Sequence, residues 1–276
     1  MSRPDLKVLT PQFFKWWFSG RNRSILHFLF LSSLLLILSE WQHENNLYRN
    51  IGRAVRLNAT DQSDTAIIRE AMLSINAMMQ ARSKVFQDHE THSLKQSLFN
   101  SADIDLMYGS GACGGYSMVL ARTLQLMGYN VRIGQLKTIT NGYGGHIIIE
   151  YWSDLLGKWV MVDPLFLYIP IDQKNVMAAA SEVAAEWSTY SPSMPEELRN
   201  WFQFTDVRYT NWSKWGWFSN SIRSILEISI GKKNTSEICM RMFFLSSYPL
   251  IFSIWLISFG FFYGVSVANH HSGKLE

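Results

Sequence analysis

Cysteine is almost missing from this sequence: only Cys113 and Cys239 occur in 276 residues. A disulfide framework is therefore excluded, and no paired Cys or His spacing suggests a structural zinc site. Charge is scarce as well. Lys, Arg, Asp and Glu together supply 17% of the residues, against roughly a quarter in an ordinary soluble domain, so part of the chain is expected to avoid water. Nor does one sign dominate. With 25 basic and 22 acidic residues the formal net charge is +3, which excludes a strongly basic nucleic-acid binder and an acidic disordered tail. Internal repeats and low-complexity tracts are also absent, which leaves one globular unit of about 200 residues as the expectation for the polar part of the chain.

Apolar residues make up 47% of the chain and are concentrated in two uncharged stretches, 24–39 and 242–269. A bilayer's hydrocarbon core is about 30 Å thick and a helix rises about 1.5 Å per residue, so the second stretch is long enough to cross even with Pro249 and Gly260 inside it. The first lies at the lower edge of that range when Glu40 and Trp41 sit at the interface. Basic residues before a short apolar run also describe a cleaved signal peptide. Ser39, Glu40, Trp41 and Gln42 offer no small-x-small cleavage site, however, and an uncleaved anchor is expected. Arg3, Lys7, Lys15, Arg21 and Arg23 outweigh Asp5, so the positive-inside rule keeps the leading segment in the cytoplasm. The predicted organisation is a cytoplasmic tail at 1–23, a transmembrane helix at 24–41, an extracytoplasmic domain at 42–241, a second transmembrane helix at 242–268 and a cytoplasmic tail at 269–276. The membrane lipid bilayer is thus an expected partner. Between the two apolar stretches 19 basic residues stand against 20 acidic ones, so the outer domain has no preference for polyanions.

Within that domain, apolar residues at helical spacing predict a helix over 64–85, capped by Asp64, and a short one over 92–99. A glycine-rich loop at 109–115 leads into a third helix from Cys113 to Met127, which Gly128 ends as a C-cap residue. The period then changes. Strands are predicted at 130–137, 146–152 and 158–163, the last two joined by a short turn, and a further helix at 176–187. Helices first and antiparallel strands after is an α+β pattern.

Cys113, Ser117, Leu120, Leu124 and Met127 fall on one face of the third helix, and Cys113 occupies its first turn. A cysteine there is more often a small buried apolar residue than a reactive one. The helix dipole and the free N–H groups of that turn nevertheless stabilise a thiolate, and Gly114 and Gly115 leave the backbone open enough to hold an oxyanion. A hairpin loop at 153–156 pairs Ile147 with Val162 and Ile149 with Val160, giving one apolar face. The same register sets His146 opposite Asp163. A helix thiol, a strand imidazole and a carboxylate on the neighbouring strand are the parts of a nucleophilic site, in which the carboxylate orients the base and the base takes the thiol proton.

The stretches GACGGYSMVLARTLQLMGYNVRIGQL (111–136), GGHIIIEYW (144–152) and GKWVMVDP (157–164) resemble the transglutaminase-like superfamily, a branch of the papain-like cysteine enzymes. The likeness covers about residues 100–170 and holds in order, spacing and element type. It implies a transglutaminase-like α+β domain with an antiparallel sheet, flanked here by two transmembrane helices. It also implies Cys113 as nucleophile, His146 as general base and acid, and Asp163 as the orienting residue. Members form a thioester with an amide substrate and pass the acyl group to water or to an amine. Gly114 and Tyr108 are the candidates for holding the oxyanion, and no metal or organic cofactor is implied. The expected substrate is a peptide, protein or other amide-bearing molecule of the cell envelope, with the domain on the periplasmic side of a bacterial inner membrane. A membrane protein is a further expected partner, and the alternatives to a hydrolase are a transamidase and a catalytically inert binding or scaffold domain of a cell-envelope membrane assembly.

Other features have plainer readings. His89 and His92 suit a solvated helix start, and Cys239 a juxtamembrane thiol without function. Trp212, Trp215, Trp217 and Phe218 begin a short stripe continued by Ile222, Ile225 and Leu226, which fits either a helix in the membrane interface or ordinary packing against the domain. Gly142, Gly144 and Gly145 suit either a mobile loop or a tight turn before His146.

Overall fold

The computed structural model describes residues 20–86, 102, 105, 106, 113–140, 145–210, 212 and 217–272. The leading tail, the predicted helix at 92–99, His89, His92, Tyr108, the loop at 109–112, Gly142, Gly144 and Trp215 lie outside these residues. In chain order the elements are α1 (Gly20–Asn58), α2 (Asp64–Phe86), α3 (Cys113–Leu126), β1 (Val131–Thr138), β2 (His146–Ser153), β3 (Lys158–Val162), α4 (Ala180–Ala185), α5 (Trp187–Tyr190), α6 (Glu196–Trp201), β4 (Phe202–Arg208), α7 (Trp217–Ile230), α8 (Lys232–Glu237) and α9 (Tyr248–Ser272). This is the expected α+β arrangement, with an antiparallel sheet in the order β3-β2-β1-β4. Contacts divide the chain into one unit formed by 45–247 and another that includes 20–44 and 248–272.

In the larger unit the sheet is covered on both faces. Ile133, Ile149, Tyr151, Val160 and Val162 pack with Leu120 and Leu124 of α3 and Ile68 and Ile75 of α2. On the opposite face Leu136, Ile148 and Met161 pack with Val183, Tyr190, Leu198 and Phe204. Burial from both sides is why β2 reads as the near-continuous apolar run His-Ile-Ile-Ile. Helix α3, packed between that first face and α2, is buried beyond the predicted stripe: Tyr116, Val119, Ala121 and Thr123 are buried together with Ser117, Leu120 and Leu124. Gly128 ends α3 as expected. At φ +98 it lets its own N–H reach Gln125 O and the Tyr129 N–H reach Leu124 O, which closes the last turn.

Several expectations are corrected. Ser63, and not Asp64, caps α2 through its hydroxyl, which accepts the Ala66 N–H, while Asp64 accepts a hydrogen bond from the Tyr129 hydroxyl. The predicted helix at 176–187 begins only at Ala180, because a turn with Asn175 at φ 61 brings Met177 into a bridge with Ile171. Strand β4 was not expected. It pairs with β1 on both sides of an irregularity between Gln135 and Lys137, and its packed residues Phe202, Phe204 and Val207 are split by exposed Thr205 and Asp206, so the alternation is broken and too short to read. The hairpin register also differs: Ile149 pairs with Val162 and Tyr151 with Val160, two residues along from the predicted pairing. The cause is Gly157, whose φ of +62 belongs in the turn and not in a strand, so the connecting residues are 154–157. A slip of two preserves which face each side chain takes.

The other unit holds the apolar helices. His27 and Phe30 pack against Phe262 at ring distances of 5.3 Å, and the Trp255 indole N–H donates to Ser33 Oγ at 3.0 Å. Phe28, Leu36, Ile257 and Phe261 point outward, each about seven-tenths exposed. One helix among the described residues is long and apolar enough to cross a membrane, at 24–58. The second predicted span is corrected: among the described residues its apolar helical stretch is 248–264, and its helix starts at Tyr248 instead of Met242. Residues 242–245 form part of a 3-10 turn, and Leu245, Ser246 and Ser247 are buried. Pro249 accordingly sits in the first turn of α9, where its missing N–H costs nothing.

Candidate active site

The fold brings one end of α3 to one end of β2. Cys113 opens α3 and is half-buried, and its Sγ donates to the Gly145 carbonyl at 3.9 Å. One turn later Ser117 Oγ donates to the Ile147 carbonyl at 2.8 Å. These two contacts hold the helix start against the strand start, and His146 lies between the two carbonyls. Gly145 is needed there, since a Cβ at this position would stand 2.2 Å from the Leu136 carbonyl. Gly145 thus has a packing reason of its own, the close approach of its backbone to β1. Gly114 differs: among the described residues a Cβ there would meet nothing within 4 Å.

His146 is 1% exposed and Asp163 fully buried, with His146 Nε2 2.5 Å from Asp163 Oδ2. They do not face each other as predicted, because Asp163 lies just beyond β3 and the pairing is two residues along. They meet because both project on the same face, where diagonal neighbours are within reach of a long side chain. The second carboxylate oxygen, Oδ1, accepts the N–H groups of Leu165 at 3.0 Å and Phe166 at 3.2 Å. Asp163 is thus held from behind while Oδ2 fixes the ring. The imidazole also lies against two aromatic rings, Phe166 at 5.1 Å and Phe202 at 4.9 Å, which keep water from it.

The charges respond to this enclosure. Burial pushes the Cys113 thiol up, but the hydrogen bond with His146, the Ile147 backbone and the imidazolium charge outweigh it and bring the thiol below its ordinary value. Burial alone lowers the His146 pKa, yet hydrogen bonds to Asp163 and Cys113 and both their charges raise it to about 9. With Nε2 committed to Asp163, Nδ1 is the nitrogen left for the thiol. The raised imidazole favours folding in its charged form: that contribution is complete below about 6.5, the unfolded value, and is lost as pH climbs through about 9. Cys239 stands in contrast. It accepts the Ile133 N–H at 3.2 Å and donates to the Ile133 carbonyl at 3.3 Å, so it is a thiol fastened to the central sheet and not a juxtamembrane one.

Iodoacetamide is therefore expected to alkylate Cys113 at pH 7 about 10-fold or more faster than Cys239, and to keep that advantage at pH 6. Peptide mapping after timed quenching checks this, and equal rates would mean the thiol is not activated. Gly145→Ala is expected to displace the start of β2, cost about 1–3 kcal/mol and bring Cys113 down to the rate of Cys239. Gly114→Ala, whose added Cβ meets no described residue within 4 Å, leaves the alkylation rate unchanged, so the pair separates a local clash from a general effect of glycine removal.

Of the residues singled out in the sequence, Cys113, His146 and Asp163 come together, Gly114 adjoins them, and Tyr108 lies outside the described residues. Phe166, Phe202 and the Ser117 contact were not foreseen. Phe166 follows the Asp-Pro that closes β3, but Phe202 comes from the unpredicted strand and had no signal. Among the described residues no group of three or more His, Cys, Asp and Glu side chains is arranged to hold a metal ion.

No family model matches the chain, and no curated protein matches it. A solved structure described as "Crystal structure of a TGase" is similar at a TM-score of 0.32 and 14% identity, over 46% of this chain and 32% of that one. The matched part thus spans about a third of that protein's length.

Proposed function

We propose that the chain is a membrane-anchored cysteine enzyme of transglutaminase-like fold that cleaves, or transfers the acyl group from, an amide or peptide substrate through a Cys113 thioester. The observation that carries this reading is a buried imidazole hydrogen-bonded to a fixed carboxylate, beside a thiol at a helix start whose pKa that imidazole lowers. The thiolate attacks the amide carbonyl carbon, and the negative charge gathers on the carbonyl oxygen near the first-turn N–H groups at Cys113 and Gly114, with Tyr108 proposed as a further donor. His146, charged by the thiol proton, gives that proton to the departing nitrogen as the C–N bond breaks, leaving an acyl thioester. Water, deprotonated by His146, then releases a carboxylic acid and restores the thiol. An amine in place of water gives a new amide, which is the transamidase alternative. The scheme employs no metal or cofactor.

The helix at 24–58 is proposed as the anchor, with the larger unit on the extracytoplasmic side of a bacterial inner membrane, where peptides, proteins and other amide-bearing envelope molecules are the substrates and a membrane protein a possible companion. The outward apolar residues of α1 and α9 support lipid as their solvent. So does α7, whose Phe218, Ile222, Ile225 and Ile228 are all exposed, Ile228 by 85%, as suits a helix lying in the interface.

The test is capture of the acyl-enzyme: incubation with a mixed peptide pool, acid quenching and peptide mapping. An acyl mass on the Cys113 peptide, released by hydroxylamine, is expected. Absence of any adduct, together with alkylation of Cys113 at the slow rate of Cys239, would favour an inert scaffold domain and overturn the proposal.

A further inference from the structure

One groove of the larger unit shares a wall with the imidazole. It encloses about 410 Å³ and is lined by Ile139, Trp187, Arg199, Phe202, Gln203 and Phe204 among others, a volume that suits one amino-acid side chain with its backbone. Strand register places it at the same end of the sheet as the thiol and the imidazole. Leu136 pairs with His146, two residues on Thr138 pairs with Phe202, and the Ile139 N–H bonds to Trp201 O. Phe202 itself lines the groove and packs its ring 4.9 Å from the His146 ring. The larger cavity, about 440 Å³ beside Trp152 and Trp159, lies at the other end of β2.

The lining has a definite chemistry. Trp187 and Ile139 are 38% and 47% exposed, large apolar surfaces left to water at the rim, and Trp187 stands 5.7 Å from Phe204. Gln203 spends its amide on the Thr138 and Ile139 carbonyls, so it contributes little to a ligand. Arg199 is the charged group of the lining. It is half-buried, and its guanidinium has no hydrogen-bond or ion-pair partner among the described residues. Aromatic walls and one uncommitted guanidinium fit a ligand that offers a flat apolar group and, beside it, a carboxylate.

We infer that this groove is the substrate-recognition site of the proposed enzyme, and that it selects amides whose amine portion carries an aromatic or branched apolar side chain next to a carboxylate. The inference rests on the cysteine-enzyme reading, and the experiment separates the two. Full-length protein in detergent is treated with N-chloroacetyl-phenylalanine, its carboxamide and N-chloroacetyl-glycine. In each the thiolate displaces chloride to form a thioether on Cys113, and peptide mapping follows the rates.

The free-acid phenylalanine probe is expected to reach its half-maximal rate at about 10-fold lower concentration than the carboxamide, the size of a charge-assisted hydrogen bond. Arg199→Ala abolishes that difference, Arg199→Lys restores part of it, and Trp187→Ala weakens both phenylalanine probes against the glycine one. The limiting rates and the iodoacetamide rate stay as in the parent, and unchanged melting temperatures confirm folding. Rapid iodoacetamide alkylation with no preference among the three probes overturns the groove assignment and leaves the enzyme reading standing. Iodoacetamide alkylation no faster than that of Cys239 overturns both.

Discussion

Asp163→Asn is expected to slow thioester formation by about 10³-fold or more while leaving the chain folded. The direction follows from the way the carboxylate is held. Oδ1 accepts two backbone N–H groups, from Leu165 and Phe166, and an asparagine carbonyl oxygen accepts the same pair. The amide nitrogen then takes the place of Oδ2 and presents a hydrogen to His146 Nε2. A ring nitrogen that must accept there carries its proton on Nδ1, the side that faces the thiol. The imidazole no longer takes the thiol proton, and its charged form loses the neighbour that stabilised it. Stopped-flow acylation would read the loss, alkylation at pH 7 should fall with it, and the melting temperature should drop while the chain stays folded, because the charged imidazole's contribution to folding goes with the carboxylate. If acylation were unimpaired, the imidazole–carboxylate contact would have no part in the chemistry.

Glu150→Ala is expected to cost about 3–5 kcal/mol, because it leaves a buried charge alone. Glu150 is fully buried on β2 and bonds to Arg132 at 2.7 Å, to the Tyr209 hydroxyl and to the Ala180 N–H at 2.9 Å. The Arg132 guanidinium lies against the rings of Trp159 and Tyr209, at 4.3 and 4.2 Å, and its side chain is only 10% exposed. Differential scanning calorimetry should show a fall of about 10 °C in melting temperature for a unit of this size. Replacing both partners, Glu150→Leu with Arg132→Met, should recover much of it, since the penalty belongs to the unpaired charge and not to the missing bond. A single variant as stable as the parent would mean the pair is hydrated.

The chemistry-bearing part of this fold was legible because each of its residues sits where local rules are strict. Cys113 begins a helix that Gly128 ends, and the strands bearing His146 and preceding Asp163 are dense in β-branched residues. The pairing error came from Gly157, whose left-handed φ sets the turn one residue later than alternation alone suggests. The two residues still met, because a slip of two leaves faces unchanged. Strand β4 and Phe202 were illegible for a different reason: in this edge strand the spacing from Phe204 to Val207 breaks the two-residue alternation at a register irregularity, so too little periodicity is left to read. The limits of the helix that begins at Tyr248 were misread from Met242 onward, since an apolar run does not tell a 3-10 turn packed on a globular unit from the first turn of a spanning helix.

The paired contacts of α3 with β2 also govern when reactivity arises. Cys113 meets the Gly145 carbonyl across 32 residues, and Ser117 meets the Ile147 carbonyl across 30. Neither contact exists in a nascent helix or an isolated hairpin; both wait for loop closure between them. Until then Cys113 is a thiol of ordinary acidity with no base beside it. Until those contacts form, Cys113 is expected to react with electrophiles only at the rate of an ordinary thiol, and to gain its lowered pKa as α3 docks on β2. Pulse alkylation during refolding would time that event, with Cys113 itself as the clock.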